Sequence, residues 1–381
     1  MDPSRSRPVR ETAEAMSDFL STDRRHMRRA LELAAKGMNT TTPNPAVGCV
    51  IARGETMIAE AFHQRAGEAH AEALALAQAG DAASGATVYV TLEPCTVDGR
   101  TPPCVDALIA ANVSEVVFAM VDPNPAVSGK GQQQLEAAGI RVMSGLFADI
   151  AASMNEGYIS RQTVGRPFVT MKWAQSLDGA SAMSSGESQW ITGAEARQDA
   201  HNLRARACAI LTGVGTVLSD DPALTARAEG VSRQPLRVIG DSHWRTPVEA
   251  RVLSGDGGAL VVGTGPCEND RLQERATCWC MPGDADDRVD LKALLKRLAD
   301  EGINELMVEA GATLNGALLD RDLVDRVVVY VAPTLLGSET QRAVVTPGWQ
   351  ALAHGRHFSM EDIRTVGQDL RLQMIPRRSA E

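Results

Sequence analysis

Apolar positions along the first 150 residues switch repeatedly between a helical and a strand-like period. Met27, Ala30, Leu31 and Ala34 recur on one helical face until Gly37, with Asp23 standing where an N-cap belongs. Val47–Ala52 and Thr56–Phe62 flank Arg53-Gly54 and predict a β-hairpin. Beyond it, helices are expected from about His70, over Cys104–Ala111 and over Gly131–Ala138. These alternate with strands at Thr87–Leu92, Glu115–Val121 and Ile140–Met143. A linking helix and turn over 146–166 leads to a second alternation. Its expected strands are Phe168–Ala174, Ala209–Thr212, Leu236–Asp241, Ala259–Gly263, Glu305–Glu309 and Arg326–Val331. Its expected helices are Glu195–Ala205, Leu291–Asp300 and Thr313–Leu319. Strand–helix alternation implies α/β layers with parallel strands. The pattern divides the chain into a polar, poorly ordered tail at 1–21, a first domain at 22–147 and a second at 166–378. Met16 offers a second possible start within that tail.

Composition narrows the function class. The 381 residues carry a net charge of −10, which argues against nucleic acid or an anionic membrane as the main partner. No apolar run of transmembrane length occurs. Seven cysteines, an odd number, without a secretory signal fit thiols of a reducing cytoplasm better than a disulfide framework. A multidomain protein that handles a small molecule is the class this composition favours.

The sharpest constellation is His70-Ala71-Glu72, then Pro94-Cys95, then Cys104 after eight intervening residues. One imidazole and two thiolates leave the fourth position of a tetrahedral zinc ion open, the catalytic rather than the structural pattern. Residues i and i+2 of a regular helix diverge by roughly 200°. Glu72 can therefore serve beside His70 as a general acid/base only if the pair opens a helix. Pro103-Cys104 likewise marks a helix start, where the dipole favours a thiolate. Cys49, Cys208, Cys267, Cys278 and Cys280 belong to no such motif and read as bystanders. The spacing is a variant of the H-x-E…P-C-x-x-C logic of zinc nucleobase deaminases.

In the second half, Gly213-Val214-Gly215 lacks the third glycine of a dinucleotide fingerprint. The stretch Glu309-Ala310-Gly311-Ala312-Thr313 lies between a strand and a helix. Its small residues admit an anion to backbone N–H groups, and Thr313 is placed to cap the helix. An ordinary strand–helix turn would look the same.

Several separate runs carry a resemblance. They are Thr42–Gly48, His63…Ala66-Gly67…His70-Ala71-Glu72, Leu92–Cys95, Gly99–Cys104 and Asp122–Pro125…Gly129–Gly131. Together they resemble the deaminase half of the bifunctional deaminase/reductase family of riboflavin biosynthesis. Lys172…Ser176–Gly179, Ser185–Thr192, Thr216…Asp220–Pro222…Thr225…Arg227 and Val308–Gly311 look like its reductase half. The resemblance covers about residues 22 to 335. It implies a cytidine-deaminase-like three-layer domain followed by a dihydrofolate-reductase-like domain. The implied ligands are Zn2+ and NADPH, and the implied substrate is a diaminopyrimidinone bearing a ribosylamino 5′-phosphate. A homo-oligomer, dimer or tetramer, is implied as well.

Residue by residue, the resemblance makes His70, Cys95 and Cys104 zinc ligands and Glu72 the proton carrier. Asn44 and His63 would contact the pyrimidine. Ala174, Thr216, Asp220, Ser242 and the loop Gly311, Ala312, Thr313, Leu314, Asn315, Gly316 and Ala317 would line the cofactor. Ser188, Trp190, Arg204, Arg227 and Glu309 would hold the reductase substrate, the two arginines suiting its phosphate. Lys172 could pair with Asp178 or contact substrate. One departure stands out: the family commonly shows Ser-His after the first cysteine, and this chain has Thr96-Val97. Val97 neither donates a hydrogen bond nor titrates, so a chain active only as the reductase is the alternative reading. A structural-zinc binding module is more remote, because such a site normally recruits four protein ligands.

Overall fold

The computed structural model describes residues 19–97, 102–346, 348, 351 and 354–377. The chain divides into two units between Gly165 and Arg166. Residues 1–18 and the Gly99-Arg100-Thr101 part of the cysteine motif lie outside the described residues. Phe19 is buried, so packed structure already includes a residue of the tail expected at 1–21.

The first unit runs α1 (Ser21–Ala35), β1 (Gly48–Arg53), β2 (Thr56–Phe62), α2 (Ala71–Ala79), β3 (Thr87–Val90), α3 (Cys104–Ala110), β4 (Glu115–Phe118), α4 (Lys130–Ala137), β5 (Arg141–Ser144), α5 (Ala148–Met154) and α6 (Glu156–Thr163). Asp23 is not the N-cap of α1. It lies three residues inside, and its carboxylate accepts the N–H of the capping residue Leu20 at 2.8 Å. The sheet order is β2-β1-β3-β4-β5, with β1 antiparallel to both neighbours and β3, β4 and β5 parallel. Alternate side chains serve opposite cores. Cys49, Ile51, Val88, Val90, Val116 and Phe118 join one, and Val50, Ala52, Tyr89 and Val117 the other. A sheet covered on both faces needs continuous apolar strands, which is how these sequences read.

The second unit begins with β6 (Phe168–Ser176), β7 (Ala180–Met183), α7 (Ala194–Arg206), β8 (Ala209–Gly213), α8 (Val214–Asp220), β9 (Leu236–Gly240), β10 (Ala259–Thr264), α9 (Asp270–Arg275) and β11 (Thr277–Met281). It continues with α10 (Leu291–Asp300), β12 (Glu305–Val308), α11 (Ala312–Asp320), β13 (Arg326–Ala332), β14 (Thr340–Arg342), β15 (Phe358–Val366) and β16 (Asp369–Pro376). Nine strands form one sheet in the order β11-β10-β9-β8-β12-β6-β13-β16-β15, while β7 pairs with β14 apart from it. The sheet is parallel from β11 through β13 and turns antiparallel at β16 and β15. The antiparallel hairpin departs from the all-parallel expectation.

This topology fixes where a ligand can enter. From β8 the chain winds outward through β9, β10 and β11, then returns to lay β12 on the other side of β8. Connections leaving in opposite directions open a crevice at the carboxyl ends of β8 and β12. The segments following those two strands, Gly213–Thr216 and Glu309–Leu314, line a cavity of about 1260 Å³.

Candidate active sites

Two helix starts build the site of the first unit. His70 is the N-cap of α2, with extended backbone (φ −71°, ψ 162°), and Glu72 follows in the first turn, 4% exposed. This non-helical cap lets His70 and Glu72 share a pocket that two positions on a regular helix would not. Pro103 caps α3, whose first residue is Cys104, while Cys95 lies in the loop after β3. The Val105 N–H donates to the Cys95 carbonyl at 3.2 Å and draws that loop onto the helix start.

His70 Nδ1 lies 3.2 Å from Cys104 Sγ and 3.5 Å from Cys95 Sγ. Ligand atoms of the three side chains all fall within 4.8 Å of one another. With Zn–N near 2.0 Å and Zn–S near 2.3 Å, tetrahedral geometry asks for roughly 3.6 Å between the imidazole nitrogen and a sulfur. Donor types and spacing both fit zinc. The thiol of Cys104 donates to Cys95, which holds Cys95 as a thiolate with its pKa down to about 4 and pushes Cys104 up. Burial raises the Glu72 carboxyl, and the Cys95 charge adds to the rise.

His63 is buried and held in one tautomer. Its Nδ1–H donates to the Ala69 carbonyl at 3.1 Å, so Nε2 accepts from the Asn44 amide, also at 3.1 Å. Burial lowers its pKa and keeps the ring neutral. Its ring meets the His70 ring edge-on at 5.4 Å. The chain thus brings Asn44, His63, His70, Glu72, Cys95 and Cys104 into one place. Val97 is 41% exposed.

Two supporting acids escaped the sequence reading. Glu93 accepts the N–H groups of Asp122, Gly129, Gly131 and Gln132 at 2.9–3.2 Å and so ties the loop before Cys95 to the start of α4. Gly131 is required there: an added Cβ would sit 2.4 Å from the Pro94 carbonyl oxygen. Asp122 accepts from the Tyr158 hydroxyl at 2.9 Å, and burial pushes its carboxyl up to about 6. The Leu92–Cys95 and Asp122–Pro125 runs contain both acids but carry no sign of these roles.

In the second unit the cavity is lined by Ala174, Ser188, Trp190, Arg204, Thr216, Asp220, Arg227, Ser242 and Glu309, together with Gly311–Leu314 and Ala317. Asn315 and Gly316 turn away. The Asn315 amide donates to the Ala310 and Ala343 carbonyls, and a Cβ on Gly316 would collide with the Val345 carbonyl. Helical periodicity explains this, since residues 311–314 and 317 share the exposed start and face of α11. Thr313 is not the cap. Gly311 is, and it offers no side-chain bond to the first turn, whose small residues and free helix start fit a cofactor phosphate.

Glu309 is the charged centre of this cavity. Arg204 donates to both its carboxylate oxygens through Nε and Nη2, and Lys172 Nζ reaches it at 3.3 Å. Although burial opposes ionisation, these two cations hold the carboxyl down to about 2. Lys172 therefore pairs with Glu309. Asp178 instead accepts from Ser176 and from the N–H groups of Leu336 and Gly337. Arg204 uses its remaining Nη1 on the Thr225 carbonyl at 3.2 Å, whereas the exposed Arg227 guanidinium donates to Thr225 Oγ1 at 3.0 Å. Trp190 stands 68% exposed at the rim, stacked under Arg197 at 4.6 Å.

Comparison with known proteins assigns both halves. Residues 20–120 match the cytidine and deoxycytidylate deaminase zinc-binding region, and residues 167–372 match the RibD C-terminal domain. The riboflavin biosynthesis protein RibD of Escherichia coli is 45% identical over 93% of this chain and 99% of its own length. That of Aquifex aeolicus is 40% identical over 91% and 97%. Among solved structures, Acinetobacter baumannii RibD aligns with a TM-score of 0.88 at 42% identity, covering 94% of this chain and all of the other. A diaminohydroxyphosphoribosylaminopyrimidine deaminase/5-amino-6-(5-phosphoribosylamino)uracil reductase from Thermotoga maritima aligns at 0.84 and 31%, covering 93% and 99%. With a zinc-deaminase model on one unit, a reductase model on the other and relatives matching nearly end to end, the chain belongs to the RibD family of bifunctional deaminase/reductases of riboflavin biosynthesis.

Proposed function

We propose that residues 22–147 deaminate 2,5-diamino-6-ribosylamino-4(3H)-pyrimidinone 5′-phosphate and that residues 166–378 then reduce its ribosyl group to ribityl. The observation that carries the first step is the His70–Cys95–Cys104 triangle with a buried Glu72 beside it. His70, Cys95 and Cys104 hold zinc, which when bound supplies the Lewis acidity that makes water a nucleophile at neutral pH. Deamination exchanges a ring amino group for oxygen as water adds and ammonia leaves. Glu72 takes the proton that water gives up and returns it to the departing nitrogen, a role suited to a carboxyl raised by burial. Asn44 orients the pyrimidine, its amide fixed by the neutral His63 ring.

For the second step NADPH, when bound, would supply the hydride that C1′ of the ring-opened imine gains, and the imine nitrogen takes up a proton from solvent. Thr216, Asp220, Ser242, Ala174 and the start of α11 from Gly311 hold the cofactor. Arg227, Ser188 and Trp190 hold the substrate around the Glu309 cluster, and Arg204 acts by fixing Glu309. Orientation is the main contribution of the protein here. A homo-oligomer joined through the reductase unit is supported by exposed Met360, Ile363 and Ile375 on the β15–β16 hairpin. Seven free thiols support a reducing, cytoplasmic setting. The test is metal analysis combined with a two-product assay. Stoichiometric zinc with ammonia released in the absence of NADPH is expected, and zinc-loaded protein that releases none would overturn the reading.

A further inference from the structure

The segment carrying Arg227 is held by side chains. Gln234 clamps Ala226 from both sides, accepting its N–H at 2.8 Å and donating to its carbonyl at 2.9 Å. Arg204 of α7 donates to the Thr225 carbonyl. One turn earlier on α7, His201 Nδ1 accepts the backbone N–H of Arg227 at 3.3 Å. His201 itself lines the reductase cavity. Three side chains thus fix three consecutive residues, and the last of them presents an exposed guanidinium to the cavity.

We infer that His201 is a positioning residue of the reductase site, which by accepting the Arg227 N–H sets the angle at which Arg227 meets the substrate phosphate. This rests on the reading of Arg227 as the phosphate ligand. Nδ1 can accept only while it carries no proton. The surroundings enforce that state: burial first, then the cations of Arg204 on its own helix and Arg227 on the facing segment, bring the imidazole pKa down to about 4. Glu309, at the start of the β12–α11 turn, and the Thr225 carbonyl oppose it. A neutral ring here has a geometric use, because protonation would replace an acceptor with a donor facing an N–H.

The test compares His201→Ala with His201→Asn, whose amide oxygen can occupy the Nδ1 position without titrating. In the full-length, zinc-loaded enzyme the Ala variant is expected to raise the reductase substrate KM about five- to tenfold, as the loss of one anchoring hydrogen bond implies. NADPH affinity, read by fluorescence titration, should stay unchanged. Asn should restore KM. The ratio of kcat/KM between wild type and the Asn variant should be flat near neutrality and fall in the acid range as the imidazole protonates. An unchanged KM in His201→Ala, an equal loss of NADPH affinity, or no restoration by Asn would each overturn the inference. Arg227→Ala separates the two levels. If it leaves the substrate KM unchanged, the phosphate reading fails. If it raises KM while His201→Ala does not, only the role of His201 fails.

Discussion

Glu72 is buried and Glu309 largely so, yet their surroundings drive the two carboxyl groups in opposite directions. Burial, reinforced by the Cys95 charge, pushes Glu72 toward the protonated form, whereas Arg204 and Lys172 outweigh burial at Glu309 and hold it ionised. The first arrangement suits a group that must take up and release a proton, the second a fixed charge. Replacing Glu72 with Gln removes the carrier without touching a zinc donor. Ammonia release should fall by about 10²–10⁴-fold with the zinc content unchanged. Loss of zinc from that variant would instead make Glu72 part of the metal site. For Glu309 the linkage runs through its depressed pKa. The stability gained by ionisation is complete above the ordinary carboxyl value of 4.5 and disappears as pH falls toward about 2. Glu309→Gln should flatten that acid limb and cost the reductase unit about 3 kcal/mol at neutral pH, by leaving the part-buried Arg204 and Lys172 without a counter-charge. All five tryptophans follow Arg166, so tryptophan fluorescence during acid and urea unfolding reports this unit alone. The His70–Cys95–Cys104 cluster was legible because its residues stand in short local motifs. The Arg204–Glu309 pair spans 105 positions and had no local signature, so Arg204 read as a phosphate ligand.

At the scale of elements, the starts of α2 and α3 supply His70 and Cys104 to the metal triangle, and the Glu93 carboxylate ties the start of α4 to the loop before Cys95. Removing it with Glu93→Ala would strand four backbone N–H groups of the Asp122–Gln132 segment. A cost of about 3 kcal/mol to the deaminase unit is expected. Because Pro94 and Cys95 follow directly, zinc affinity in a chelator competition should drop about tenfold or more. Unchanged affinity would show that the Cys95 loop is held by other contacts. Elements were readable where periodicity was strong, as in the β1–β2 hairpin and in α10, whose Leu291, Leu294, Leu295 and Leu298 are all buried. They were missed where local preference conflicts with structure. The α8 sequence is rich in β-branched and small residues that favour strand or turn, and packing of Val214 and Val217 overrides that preference. In β15 the charged residues Glu361, Asp362 and Arg364 interrupt any apolar alternation, since the strand lies at the sheet edge and relies on ion pairs such as Arg326–Glu361.

On the scale of the whole molecule, each catalytic site is built from the core of its own unit. Glu72 and the zinc donors rest on the sheet β2-β1-β3-β4-β5, and the Glu309 cluster rests at the switch point of the nine-stranded sheet. Strand order in that larger sheet could not be read from the sequence, because nothing local announces that β12 returns beside β8. Yet that return creates the second cavity. Separate foundations predict separable failures. Stripping zinc with a chelator should abolish ammonia release, because the Cys95–Cys104–His70 triangle supplies the only cluster of metal-binding side chains among the described residues. Supplied with already deaminated substrate, the same stripped protein should oxidise NADPH at an unchanged rate, and its tryptophan-detected unfolding should not shift. Adding zinc back should restore ammonia release alone. If NADPH oxidation instead declined in step with zinc content, the reductase cavity would depend on the deaminase unit, and two independently founded sites would be the wrong description.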